Sequence, residues 1–123
     1  MDGTVYNLYG MENWLEMLRN EEEGAFTLGK SLVDMDRLKK VCMELIGIGY
    51  QIGIISWLPM GASPEYCEVC TREKREWAEK NMPYISEFYA LEYGTPKQYA
   101  PARRAREMWL IDDSKEVREM WVT

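Results

Sequence analysis

The chain has 123 residues, of which 46% are hydrophobic and 29% are charged, and its formal net charge is −6. This length allows one domain with a modest core, and the composition is that of a soluble globular protein rather than a disordered one. Neither an apolar run of about 20 residues nor a secretory signal is present, so we expect a cytoplasmic protein without membrane contact.

The acidic balance argues against nucleic acid as a partner, because non-specific binding to it needs a basic surface. The one basic cluster, Arg-Arg-Ala-Arg at residues 103–106, is short. We interpret it as a solvated face, with a phosphate-contacting patch as the alternative.

The cysteines give little support to metal or redox chemistry. There are three of them and no histidine, and an odd count argues against a disulfide framework. Cys67 and Cys70 form a C-x-x-C pair, but only Cys42 remains to complete a zinc site that normally needs four ligands. We therefore interpret the pair as incidental cysteines on a helix face.

The chain opens with a Met-Asp-Gly-Thr turn at residues 1–4. After it, tryptophan and leucine recur at helical spacing and predict a short helix over residues 12–20. An acidic, glycine-containing connector over residues 21–31 follows. Residues 5–31 together are predicted to form a small cap-like insertion, too short to be a domain of its own.

The clearest helix prediction covers residues 34–49. Apolar side chains recur there at steps of three and four opposite a charged side, and Asp34 precedes them as the predicted N-cap. Residues 51–57 follow as an almost continuous apolar run. Such a run is typical of a strand buried on both faces, as in a parallel sheet covered by helices.

The second half continues the alternation of helices and strands. Its predicted elements are a helix that Ser63 and Pro64 begin and that ends near residue 81, a strand at 84–91, a helical turn at 101–107, a buried strand at 108–111, and a helix at 115–121 capped by Ser114. Strands that alternate with helices favour right-handed crossovers and a mainly parallel sheet. The predicted fold is a single α/β domain over residues 1–123.

Polar side chains stand where the predicted strands end or turn. Asp2 lies in the opening turn, Ser56 ends the first apolar run, Lys97 lies in a turn, and Asp112 and Asp113 follow the last strand. Ligands of open α/β sheets bind at the carboxyl ends of the strands. Three carboxylates, a hydroxyl and an ammonium group converging there would suit a divalent metal and a phosphate.

Each of these residues also has an ordinary structural interpretation. An aspartate before glycine is typical of a turn, an aspartate pair before Ser114 suits a helix cap, and a lysine in a turn is usually solvated. The joint order of the residues is what indicates function. We expect Trp57, directly after the serine, to line the pocket.

An Asp-Gly-Thr turn, a hydroxyl, a lysine and an aspartate pair, in this order, resemble the four motifs of the haloacid dehalogenase-like superfamily. The phrases Leu-Tyr-Gly-Met-Glu-Asn-Trp-Leu, Gly-Ile-Ile-Ser-Trp-Leu, Tyr-Gly-Thr-Pro-Lys and Ile-Asp-Asp-Ser also resemble small bacterial and phage-encoded members. The resemblance spans nearly the whole chain. It implies a Rossmann-type, mainly parallel sheet with flanking helices and a minimal cap.

The resemblance implies Mg²⁺-dependent, phosphatase-type hydrolysis of a small phosphorylated molecule through an aspartyl-phosphate. Asp2 matches the second aspartate of the family's D-x-D-G-T motif, the general acid and base. Ser56 matches the hydroxyl that binds the phosphoryl oxygens, and Lys97 matches the lysine that neutralises the nucleophile and the phosphate. Asp112 and Asp113 match the acidic pair that holds the metal, with Asp2 as a further candidate ligand.

The nucleophilic aspartate of the motif would stand two places before Asp2, ahead of the sequence, and the first, normally central strand is absent with it. Losing a central strand leaves two rows of unpaired backbone groups. Two accounts are open. Either Met1 is the internal residue of an Asp-Met-Asp-Gly-Thr motif that starts upstream, or the chain is a non-catalytic binding or regulatory protein whose gap a partner strand or a second copy fills. On both accounts we expect the 123 residues alone to be inactive on phosphate esters.

Overall fold

The computed structural model describes residues 1–100 and 108–121, along which helices and a pair of strands alternate. The elements are α1 (Trp14–Arg19), α2 (Met35–Gly47), β1 (Gly53–Trp57), α3 (Pro64–Asn81), β2 (Glu87–Leu91), a 3₁₀ turn (Lys97–Tyr99) and α4 (Lys115–Met120). The predicted helical turn at 101–107, with its basic cluster at 103–106, lies outside the described residues. None of the described helices is long and apolar enough to cross a membrane.

The two strands form a parallel pair. Gly53 lies opposite Glu87 and Trp57 lies opposite Leu91, with α3 connecting the strands and packing against β2. The prediction of an α/β fold with parallel pairing is therefore confirmed at this level, as a small two-stranded sheet with flanking helices.

The prediction of a third, buried strand at residues 108–111 is wrong. This segment belongs to no strand, and Trp109 and Ile111 are 75% and 83% exposed. A strand exists only where a neighbour accepts and donates its backbone hydrogen bonds. β1 is bonded to β2 on one side, and no described residue supplies a strand on the other side with which 108–111 could pair.

Three helices begin as predicted. The side chains of Asp34, Ser63 and Ser114 each accept a hydrogen bond from a backbone N–H of the first turn that follows. These bonds satisfy donors that a helix cannot satisfy internally. α2 ends at Gly47, two residues before its predicted end.

The core lies between α3 and the N-terminal 31 residues. The ring of Tyr6, which is fully buried, packs edge-on against Trp77, with centroids 5.2 Å apart. Its hydroxyl donates to the carbonyl of Ala25 at 2.7 Å and accepts from the N–H of Gly29 at 2.8 Å. Tyr6 therefore binds the start of the chain to the connector and to α3 at once.

The connector is also bonded directly to α3. The carboxylate of Glu73 accepts from the N–H groups of Gly24 at 2.8 Å and Phe26 at 3.3 Å. The hydroxyl of Tyr66 donates to the carbonyl of Glu22 at 2.7 Å. The predicted cap-like insertion is thus packed and hydrogen-bonded along the length of this helix.

The cysteines are free thiols. Cys70 lies on the buried side of α3, and burial raises the pKa of its thiol to about 12. A thiol with this pKa stays protonated and unreactive at neutral pH.

Replacing Tyr6 by phenylalanine should lower the free energy of unfolding by about 1–3 kcal/mol, because the buried Ala25 carbonyl and the partly buried Gly29 N–H would lose their partner. Urea denaturation measures the change. Tyr99→Phe, at an exposed tyrosine, serves as the control and should change stability by less than about 0.5 kcal/mol. Equal effects of the two substitutions would contradict this role of Tyr6.

Candidate functional site

A buried lysine occupies the carboxyl end of β1. The Nζ of Lys74 donates to Asp2 Oδ2 at 3.1 Å, to Ser56 Oγ at 2.8 Å and to the carbonyl of Trp57 at 2.6 Å, and the side chain is 0% exposed. Burial lowers the pKa of Lys74, and the carboxylate of Asp2 opposes that shift. One ammonium group therefore joins two of the sequence-predicted site residues.

A second buried ion pair lies nearby. Lys97 Nζ donates to Asp112 Oδ2 at 2.6 Å, and each side chain is only 7% exposed. Burial by itself would raise the pKa of Asp112, but hydrogen bonds from Lys97 and from the N–H of Ser114 outweigh it and the pKa is lowered. Lys97, predicted as a site residue with a solvated turn lysine as the alternative, is thus a buried partner of the predicted metal ligand Asp112.

Trp57 borders this second pair. The Nζ of Lys97 lies 5.3 Å from the centre of its ring, and the indole Nε1 donates to the carbonyl of Thr95 at 2.7 Å. The indole is thereby held between the end of β1 and the turn that carries Lys97. The expectation that Trp57 lines the site agrees with this position.

The opening turn lies between the two ion pairs. The carbonyl of Met1 accepts from the N–H groups of residues 4–6, and Gly3 has φ +74°, a left-handed conformation that favours glycine. A side chain at Gly3 would also collide with the carboxylate of Asp113. Asp2 is joined to Ser56 through Lys74, and Gly3 lies against Asp113, so the turn connects the predicted site residues. We name the set the charged edge; its members are Asp2, Ser56, Lys74, Lys97, Asp112 and Asp113.

The amino group of Met1 is buried among these charges. Burial lowers its pKa to about 6; the carboxylate of Asp2 opposes the shift, and the ammonium groups of Lys97 and Lys74 add to it. A charged amine in this position is costly, because desolvation is only partly offset by the nearby carboxylates.

The oxygen donors here suit Mg²⁺ in kind, although they do not form a complete set. Asp2 Oδ1 is buried and has no hydrogen-bond partner among the described residues. Within that part of the chain, however, no group of three or more Asp, Glu, Cys or His side chains is arranged to hold a metal ion. Both oxygens of Asp112 already accept hydrogen bonds. Asp2 and Asp113 are therefore the better candidates, and Mg²⁺ often binds one or two carboxylates together with phosphate and water.

Sequence reasoning missed Lys74. It lies in a Glu-Lys-Arg run of α3, and such a run is typical of a solvated, charged helix face. One signal was available, because Lys74 lies four residues after Cys70 and three before Trp77, on the side of the helix that both bury.

Comparisons with protein-family models, with curated proteins and with solved structures found no match to this chain. Two open surface hollows lie beside α3, one next to Thr71 and Arg75 and the other next to Lys30 and Lys80. None of the five predicted residues lines either of them. The charged edge, rather than either hollow, is therefore the candidate site.

Stability should depend on pH through the amino group of Met1. The unfolded chain binds this proton with a pKa of 8.0 and the folded chain with a pKa of about 6, so the folded state should lose about 2 kcal/mol as the pH falls from 8 to 6. The chain has no histidine to obscure the effect. Urea denaturation at several pH values measures it. The N-terminally acetylated chain is the control and should show no such loss; an equal slope for both forms would contradict the assignment.

Replacing Lys74 by methionine should destabilise the fold by about 3 kcal/mol, because Asp2 would keep a largely buried charge without a partner. Adding Asp2→Asn should recover about 1–2 kcal/mol of that loss, since the pair is coupled. Thermal unfolding of the unsubstituted protein, the two single variants and the double variant tests this. The matched control is Lys80→Met, at an exposed lysine of the same helix. Additive single effects would show that the ion pair contributes nothing.

Proposed function

We propose that the charged edge is the phosphate site of a haloacid dehalogenase-like, Mg²⁺-dependent phosphohydrolase scaffold that acts on a small phosphorylated molecule. One observation supports this most directly: two buried lysines, a buried serine hydroxyl and three aspartates lie at the carboxyl end of a parallel strand. Clusters of buried, shifted ionisable groups are common at functional sites.

The neutral and the charged side chains would have different roles in binding the phosphate. Ser56 would donate a hydrogen bond to a phosphoryl oxygen, and Lys97 and Lys74 would neutralise the phosphate dianion. Both lysines are paired with aspartates, at 2.6 Å for Lys97 and 3.1 Å for Lys74. Exchanging a carboxylate partner for a phosphate partner keeps each ammonium compensated, which lowers the cost of binding an anion in a buried place.

The reaction that the family resemblance implies has two steps. An aspartate two places before Asp2 attacks phosphorus, the bond from phosphorus to the ester oxygen breaks, and Asp2 gives its proton to the leaving alkoxide. A water molecule then attacks the aspartyl-phosphate, Asp2 takes the proton of the water, and inorganic phosphate and the free carboxylate are released. The attacking aspartate is not among the 123 residues, so these residues alone should bind phosphate without turnover.

Mg²⁺, when bound, would supply further neutralisation of the phosphate charge. Asp113, which lies against the opening turn, would hold it together with the phosphate and water, and Asp2 Oδ1, which has no other partner among the described residues, would carry the transferred proton. Asp112 would instead position Lys97, to which it is already bonded.

The second candidate function is a non-catalytic binding or regulatory protein on the same scaffold. The observation in its favour is that Lys74 and Lys97 are each paired with an aspartate of the same site. On this proposal the charged edge stabilises the fold, and the function lies in the binding of a partner.

An N-terminal extension separates these two candidates. A variant in which about five apolar β-branched residues and an aspartate precede Met1 should hydrolyse p-nitrophenyl phosphate in the presence of Mg²⁺. We expect a rate at least about 100-fold above that of the 123-residue chain. Asp113→Asn in the extended protein should lower the rate about tenfold or more through weaker Mg²⁺ binding.

The matched control is the same extension ending in asparagine, which supplies the strand without the nucleophile and should be inactive. Circular dichroism and melting temperature establish that each variant is folded. A folded, aspartate-ended variant that stays inert on a broad panel of phosphorylated metabolites would rule out the phosphohydrolase proposal and favour the binding protein.

A further inference from the structure

Two half-exposed tyrosines lie beside the charged edge, on different parts of the chain. Tyr9 follows the opening turn and is 54% exposed, and Tyr93 follows β2 and is 51% exposed. Exposed aromatic residues that are scattered singly over a surface need no explanation. These two are different, because both are connected by short contacts to the same group of buried charges. We name them the tyrosine pair.

Tyr93 is connected to Lys97 through Trp57. The rings of Tyr93 and Trp57 lie 5.0 Å apart between centroids, with their planes inclined at 57°. The Trp57 ring in turn lies 5.3 Å from the Nζ of Lys97. One aromatic ring therefore separates Tyr93 from the ammonium group that would neutralise the phosphate.

Tyr9 lies against the opening turn. A Cβ atom at Gly3 would be 3.2 Å from Cε2 of the Tyr9 ring and would also meet the carboxylate of Asp113. Partial burial raises the pKa of Tyr9, and the carboxylates of Asp2 and Asp113 raise it further. The hydroxyl of Tyr93 adds to the same shift, so the two tyrosine side chains lie near each other.

Both rings of the tyrosine pair are held in place by a tryptophan. Tyr9 packs edge-on against Trp14, with centroids 5.0 Å apart and planes at 85°, as Tyr93 packs against Trp57. A ring that is already packed loses little conformational freedom when a ligand binds. About half of each side chain is nevertheless exposed and available for contact.

The charged edge is exposed on the side of the tyrosine pair. Ser56, Lys74 and Lys97 are buried, whereas Asp113 is exposed. Asp113 is also the member of the edge that adjoins Tyr9 across the opening turn. A phosphate bound by the buried groups would therefore project its esterified group past Asp113, beside the two tyrosines.

We propose that the tyrosine pair selects a phosphate monoester that carries a flat aromatic ring system, of the nucleoside monophosphate class, by stacking on that ring system. This inference rests on the proposed phosphate site. Aromatic side chains stack on the faces of bases with little regard to base identity, and a simple sugar phosphate has no such face. The single ring between Tyr93 and Lys97 suits a base that a sugar separates from phosphorus. Tyr9 and Tyr93 are thus specificity-determining residues.

The test is a set of NMR titrations of the full 123-residue chain in a buffer that contains Mg²⁺. The ligands are inorganic phosphate, ribose 5-phosphate and adenosine 5′-monophosphate, of which the last two differ only in the adenine. The adenosine monophosphate should bind about tenfold or more tightly than ribose 5-phosphate. Its adenine proton signals should move upfield, as is expected for a base stacked on an aromatic ring.

Substitutions at the tyrosine pair separate stacking from phosphate binding. Tyr9→Leu and Tyr93→Leu should each lower the preference for the adenosine monophosphate about threefold or more, and the double variant should abolish it. The affinities for inorganic phosphate and ribose 5-phosphate should not change. Tyr9→Phe and Tyr93→Phe keep the rings and should keep the preference.

The matched control is Tyr99→Leu, at an exposed tyrosine of the turn that carries Lys97, and it should leave the preference unchanged. Neither member of the tyrosine pair belongs to the buried core or packs against it, so the leucine variants should fold. Their melting temperatures establish this.

The outcomes distinguish the substrate class from the proposed function. If inorganic phosphate and ribose 5-phosphate bind but the adenosine monophosphate binds no more tightly, the phosphate site stands and the aromatic preference is overturned. If none of the three ligands binds, the phosphate site fails and the inference fails with it. A preference that survives the double leucine substitution would place the base elsewhere and would overturn the role of the tyrosine pair.

Discussion

The burial of the Lys74 ammonium is the constraint on which the rest of this structure depends. Two separate parts of the chain supply its three partners: Asp2 of the opening turn, and the Ser56 hydroxyl and Trp57 carbonyl at the end of β1. Removing a charge from water is affordable only if all of its partners are in place. The position of Asp2 therefore follows from the packing of α3 on the sheet, and the charged edge forms only when the core has formed.

The structure combines a well-satisfied charged edge with a small sheet. Lys97 and Asp112 compensate each other where both side chains are buried, whereas β1 is bonded to β2 alone within the described residues. The charged edge provides cations that an anion could bind.

Local chemistry made much of the fold predictable. Helix caps depend on one side chain and the turn after it, so Asp34, Ser63 and Ser114 were identified correctly. The segment 108–111 was not, because an apolar run becomes a strand only beside another strand, and that neighbour is a property of the tertiary structure. Lys74 was missed for a similar reason: its burial is decided by Phe26 and the opening turn, which are far away in sequence.

The bonding of the connector to α3 has a consequence for access to the charged edge. Glu73 and Tyr66 hold the backbone of residues 22–26 along one helix, and the ring of Phe26 lies 4.3 Å from the Nζ of Lys74. A cover attached at so many points cannot swing on a hinge in the way that mobile lids do. Entry to this edge is accordingly governed by the fixed shape of its surroundings, and discrimination between molecules would come from steric fit at a rigid rim rather than from closure around the bound molecule.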